Sequence, residues 1–180
     1  MKRILLMMSV SLLSIAGFAQ TGKNQIGAAA EVGFPTGDAS DGTKMGIGAT
    51  VKGLYGIGTA GQITFTTGFL SFSAKDEIVD LLGADKIKSS IIPLLAGYRH
   101  NFNGFYAEPQ VGYAIHGGKI KGGEFDGSDS DGAFTWAANV GYVFSNNIEV
   151  GARYQSSHKD GTSSAFFGLR VGYLFSLGGK

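Results

Sequence analysis

The sequence predicts an all-β chain, an eight-stranded antiparallel up-and-down transmembrane β-barrel. Three observations carry this expectation. Eight segments alternate apolar and non-apolar residues with a period of two. The connections between them alternate between short turns and long polar loops. Every charge inside the segments falls on the phase opposite the apolar one.

The expected segments are 24–34, 44–56, 61–72, 90–101, 104–116, 133–145, 147–157 and 164–177. In the sixth, Phe134, Trp136, Ala138, Val140, Tyr142 and Phe144 share one phase, against Thr135, Ala137, Asn139, Gly141 and Val143. The eighth sets Phe167, Leu169, Val171, Tyr173 and Phe175 against Gly168, Arg170 and Gly172. Strands of about 10–12 residues suit a tilted crossing of the bilayer. The short connections are GIGTAG, NFNG and SNN; the long ones fall at 35–44, 73–90, 117–131 and 157–164. Pro93 and Pro109 fall inside segments, and each is expected at a bulge or a strand end.

Which phase faces lipid follows from the charges and the aromatics. The strand charges are Glu31, Lys52, Arg99, Glu108, Glu149, Arg153 and Arg170. A charge facing lipid at mid-depth costs about 2–4 kcal/mol, so these residues belong to the lumen. Their mixed signs suit pairing across a narrow interior, with Arg99 and Glu108 the expected direct pair across the NFNG turn. Leu70, Phe72, Leu95 and Tyr106 add bulk to the same phase. On the opposite phase, Tyr55, Tyr98, Phe105, Tyr142, Tyr173 and Phe175 lie near the short turns, and Trp136 and Tyr154 nearer the long loops. Small and aliphatic residues such as Ala49, Val111 and Val140 lie between them. Rings at two heights with aliphatics between form an aromatic girdle. On this reading Val140→Arg impairs assembly, and Asn139→Arg does so less.

The same geometry accounts for Val-Gly-Tyr at 111–113, 140–142 and 171–173. Valine and tyrosine face lipid, and glycine faces a lumen that side chains nearly fill. A glycine there leaves room for a neighbouring Arg or Tyr to lie across it.

The chain opens on a secretory signal. Lys2 and Arg3 precede an uncharged apolar run, Ile4 to Phe18, and Ala19 ends a small-residue cleavage site. The expected division is a signal peptide at 1–19 and a single barrel domain at 20–180. No cysteine follows the run, so no lipid anchor is expected. Without Lys2 and Arg3, 13 basic residues (15 less 2) face 14 acidic ones, a formal charge of −1. That balance argues against a nucleic-acid partner.

Other motifs carry little. GIGTAG at 56–61 matches a dinucleotide fingerprint, but a strand pattern follows it where a helix is required. DGSDSDG at 126–132 lacks the spacing of a calcium loop. His158 with Ser156, Ser157 and Asp160 is the one local cluster resembling hydrolytic machinery, and reads as a solvated loop. Residues 76–86 carry the single helical pattern, expected as a short helix on the barrel rim and ended by Gly83. No metal, cofactor or catalytic site is expected.

IPLLAGYRHNF (92–102), AEPQVGYAI (107–115) and the closing LRVGYLFSL (169–177) resemble the small bacterial outer-membrane β-barrel family, the porin family, OmpA/OmpX-like in size. The resemblance covers the whole mature chain. LRVGYLFSL resembles the assembly signal of such barrels, although Gly178-Gly179-Lys180 extends beyond it. The resemblance implies residence in the outer membrane, a lipid and lipopolysaccharide environment and, with an even strand number, both termini in the periplasm. It does not fix a task. The leading expectation is a monomeric, non-enzymatic barrel acting through its surface loops or in envelope structure, with an unknown loop partner. The alternatives are a narrow pore for small solutes and a soluble periplasmic ligand-binding barrel.

Overall fold

A computed structural model describes residues 23–81, 83–122 and 127–177. Eight strands form one closed antiparallel barrel in chain order. They are β1 (Gln25–Thr36), β2 (Gly46–Ile57), β3 (Gly61–Ser73), β4 (Lys86–Phe102), β5 (Phe105–Lys121), β6 (Gly127–Val143), β7 (Ile148–Lys159) and β8 (Thr162–Ser176). Closure is made by β1 on β8, in register from Gln25↔Ser176 to Thr36↔Ala165. Closing the sheet removes the free edges that would otherwise carry unpaired backbone groups. The expected signal peptide and the terminal Gly178-Gly179-Lys180 lie outside the described residues.

The turns follow from their residues. Asn103 and Gly104 both have positive φ, at 50° and 95°, and join Phe102 to its partner Phe105. Asp160 and Gly161 do the same at 48° and 79° between Lys159 and Thr162. Two-residue loops with left-handed backbone match the twist of the strands they join, and Asn-Gly and Asp-Gly are the sequences that tolerate it. GIGTAG forms the turn from β2 to β3, with Gly58 at φ 63°.

The second end of the barrel departs from expectation. β4 begins at Lys86, β5 runs to Lys121 and β6 begins at Gly127, so much of the anticipated loop sequence is strand. The anticipated long loop at 157–164 is the tight Asp160-Gly161 turn. Two short helices sit at this end, α1 (Ala39–Gly42) and α2 (Asp76–Leu81), the latter shorter than its pattern. α2 stops where Gly83, at φ 59°, donates its N–H to the Asp80 carbonyl and Ala84 donates to Val79. These two bonds satisfy carbonyls that the helix itself leaves free. Lys44 binds Asp76 at 2.7 Å, and Thr43 bridges Ala74, tying the two rim segments together.

Neither proline sits at a bulge or a strand end. Across β3 and β4 the ladder runs to Thr67↔Leu94 and resumes at Leu70↔Ile91, skipping the two rungs at Ile92 and Pro93. Across β4 and β5 it skips from Gly97↔Gln110 to His100↔Ala107, around Pro109. The register is unchanged on either side of both gaps. Each proline lacks the N–H for its rung, and continuous pairing with the other neighbour holds the strand straight: Pro93 with Ala114 and Pro109 with Ala138.

Candidate functional site

Strand alternation sends one set of side chains into the lumen, where they stack in three tiers. Nearest the short turns, Gln62 donates to the Gln25 side-chain oxygen at 3.1 Å, and Asn101 donates to Gln62 at 3.1 Å. At the other end Leu70, Phe72, Ile91, Ala114 and Phe166 form an apolar cluster. Its Phe72 and Phe166 ring centroids are 5.7 Å apart. Between these tiers lie the charges.

All seven charges singled out from the sequence point into the lumen, and all are buried at 5 % exposure or less. Glu108 is the hub. Its Oε2 accepts from Lys52 Nζ at 2.7 Å and Arg99 Nε at 3.0 Å; its Oε1 accepts from Thr64 at 2.9 Å and Gln110 at 2.7 Å. Arg99 also approaches Glu149 at 2.8 Å, and Arg170 approaches Glu149 at 3.1 Å. Tyr106 bridges the two sides: its hydroxyl donates to Glu149 and accepts from Arg170, each at 3.0 Å. The Arg99 guanidinium lies 3.8 Å from the centre of the Tyr106 ring. Arg153 pairs with Glu31 at 3.3 Å and donates to Asn139 at 3.2 Å. Asn139 in turn donates to the Glu108 carbonyl at 3.0 Å.

Lumen-facing glycines leave the space this packing uses. A side chain at Gly141 or Gly151 would overlap the Tyr106 hydroxyl. The arginines and Tyr106 therefore lie across the interior. A cavity beside this layer, lined by Thr50, Lys52, Glu149 and Arg170 among others, is about 10 Å³, room for one water. Wider recesses open toward the two ends, about 510 Å³ at the short-turn end, with Arg99 in its lining, and 370 Å³ at the other mouth. A larger concavity, about 1380 Å³, runs along the outer wall and is lined largely by outward residues such as Ala30, Ala49, Val140 and Val171. In a membrane barrel that surface meets acyl chains, so it is not a candidate binding site.

The residues expected in the girdle face outward. Tyr98, Phe105, Trp136, Tyr154, Tyr173 and Phe175 are exposed, while Tyr55 and Tyr142 are partly covered. Rings meet along the surface: Phe105 with Tyr142 at 4.8 Å, Tyr173 with Phe175 at 4.8 Å, and Trp136 with Tyr154 at 5.6 Å. His158 also lies on this face. Its Nε2 is 2.9 Å from Ser156 Oγ and accepts from Trp136 Nε1 at 3.2 Å. Among the described residues no carboxylate pairs with His158, so the arrangement lacks the group that would orient a base. The DGSDSDG stretch places Asp129 and Asp131 on β6, not in a loop.

Sequence reasoning overlooked Gln110, Asn139 and Thr64, which hold the network together. Each is on the phase opposite the apolar one in its own strand, and that phase was the available signal.

A closed eight-stranded barrel with charges inside and aromatic rings outside agrees with what known proteins show. The outer membrane protein beta-barrel domain family matches residues 5–175. The chain belongs to that family. It is therefore an outer-membrane β-barrel protein. Solved structures share the fold. Ail, the attachment invasion locus protein of Yersinia pestis, aligns with a TM-score of 0.62 at 17% identity, covering 87% of this chain and 100% of Ail. Neisserial surface protein A gives 0.57 at 15% identity, over 86% of this chain and 97% of that one. The N-terminal barrel domain of Pseudomonas aeruginosa OprF gives 0.56 at 15% identity, over 86% and 100%. At these identities the likeness is one of fold alone. No curated protein matches the chain.

Proposed function

We propose that this protein is a non-enzymatic, monomeric outer-membrane barrel with a closed lumen, acting through its outer rim or as a structural element of the envelope. The observation that carries the reading is the charge layer. Side chains from β1, β2, β4, β5, β7 and β8 meet there around Glu108, Glu149 and Tyr106, and the cavity beside Lys52 and Glu149 holds about one water. A solute path would require several buried ion pairs to open together. Removing one partner of a single such pair already costs about 3–5 kcal/mol.

The rest of the reading follows from the barrel. Residues 1–19 serve as the export signal and 20–180 as the barrel domain, with both termini in the periplasm and the rim helices outside. The aromatic rings at two heights anchor the barrel in the lipid, with lipopolysaccharide around the outer end. The direct test is a liposome-swelling assay with purified protein and small sugars or amino acids. No swelling above protein-free liposomes is expected. Solute-size-dependent swelling would replace this reading with the narrow-pore one, for which the two recesses would serve as vestibules.

A further inference from the structure

The strand extensions at the rim carry a sorted charge pattern. Lys86 pairs across β4 and β5 with Lys121, and Lys88 pairs with Lys119. All four are exposed, and none is within ion-pair distance of a carboxylate among the described residues. Directly opposed like charges destabilise a ladder, yet here two rungs carry them. Their flanks are neutral: Lys88 pairs on its other side with Ser73, and Lys119 with Ser128. The acidic residues of β6 occupy the opposite face. Asp129 and Asp131 share the phase of the lumen-facing Ala133 and Thr135, and Asp131 binds Lys159 at 2.6 Å. An ordinary solvated surface interleaves both signs; here β4 and β5 present their rim lysines outward, while the β6 carboxylates face inward toward Lys159.

The direction of the lysines identifies the partner. By strand alternation Lys86 and Lys88 continue the outward column of Ile92 and Leu94, and Lys119 and Lys121 continue that of Tyr113 and Ile115. Lys88 and Lys119 each stand four residues beyond that apolar column, about 13 Å along the strand. They therefore point sideways, parallel to the membrane and just above the apolar band, where the neighbours are lipid headgroups.

We propose that Lys86, Lys88, Lys119 and Lys121 form a binding face for the phosphate groups of an outer-leaflet glycolipid, lipopolysaccharide. Phosphates inserted between the two lysine rungs would neutralise the repulsion the ladder carries, and the uncharged serines on either side offer hydroxyl donors. The proposal deepens the reading of an outer-end lipopolysaccharide environment and rests on the orientation given there.

The test uses the refolded full-length barrel in detergent micelles, with binding of purified lipid A followed by native mass spectrometry. Phosphorylated lipid A is expected to bind more tightly than its dephosphorylated form, and increasingly weakly as salt rises. The Lys88→Gln/Lys119→Gln double variant should lose about tenfold or more in affinity for the phosphorylated form. Lys159→Gln, on the inner face of the mouth, should not. Lys88→Arg/Lys119→Arg should retain binding, which separates charge from folding. Equal affinity for the two lipid A forms, or an unchanged double variant, would overturn the proposal. So would a soluble sulfated polysaccharide that binds the same lysines more tightly than lipid A. Purified protein has no inside or outside, so these results do not depend on membrane orientation, which surface labelling of cells reads separately.

Discussion

Arg99 and Glu108 face each other across β4 and β5, with guanidinium and carboxylate 3.0 Å apart, at a rung where Pro109 interrupts the backbone ladder. A side-chain ion pair thus spans the place where a main-chain bond is missing. Glu108 also holds Lys52, so its loss leaves two buried cations short of a partner. Glu108→Ala is expected to destabilise the barrel by about 3–5 kcal/mol, less where water enters. The measurement is the urea midpoint of folding, read from the heat-modifiable gel shift. A midpoint equal to wild type would remove Glu108 from the centre of the network.

Gly141 tests the packing of Tyr106. An alanine there meets both the Tyr106 hydroxyl and the Val150 carbonyl, whereas a side chain at Gly53 meets nothing within 4 Å. Gly141→Ala should cost about 1–3 kcal/mol as overpacking, and Gly53→Ala close to nothing. Parallel unfolding curves for the two variants make the comparison, and equal stabilities would argue against a filled lumen.

Val140 faces outward at 57% exposure. Val140→Arg should impair assembly by about 2–4 kcal/mol, seen as loss of the folded band on refolding into lipid. Asn139, read from sequence as the more tolerant position, is instead buried at 1% and bonded to Arg153, Gln110 and the Glu108 carbonyl. An arginine there would face Arg153, so Asn139→Arg is now expected to be damaging as well. Asn139→Asp adds a carboxylate beside the same guanidinium and should be the better tolerated of the two; the reverse order would show the register of β6 to be misassigned.

Orientation is read from the two turns. A cysteine replacing Asp160 should react with a membrane-impermeant maleimide on intact cells, and one replacing Asn103 should react only after lysis. The opposite pattern would invert the barrel and place the rim helices in the periplasm.

The faces were legible in the sequence because side-chain direction in a strand alternates without exception from Phe134 to Val140, and hydropathy records it. Beyond the apolar band that record ends. Apart from Ile120, residues 117–121 and 127–132 are polar or glycine on both phases, so hydropathy does not distinguish pairing from loop, although Lys119 pairs with Ser128 and His116 with Asp131. Those paired rungs hold the sorted lysines and aspartates. Gln110 and Asn139 were obscured for a different reason. Uncharged amides give no signal until a neighbouring charge requires a partner, and that neighbour is set by the register between strands. The prolines misled because a bulge or a strand end was expected, whereas the barrel omits two rungs at each proline and keeps its register.

The most direct measurement is ion conductance through purified wild-type protein in a planar bilayer. With Lys52, Arg99 and Glu108 locked together and a cavity of only about 10 Å³ beside Lys52, no steady current is expected. Brief openings in Glu108→Ala alone would agree with a lumen closed by its own charges. A stable ohmic conductance from the wild type would contradict the closed lumen and make this protein a pore.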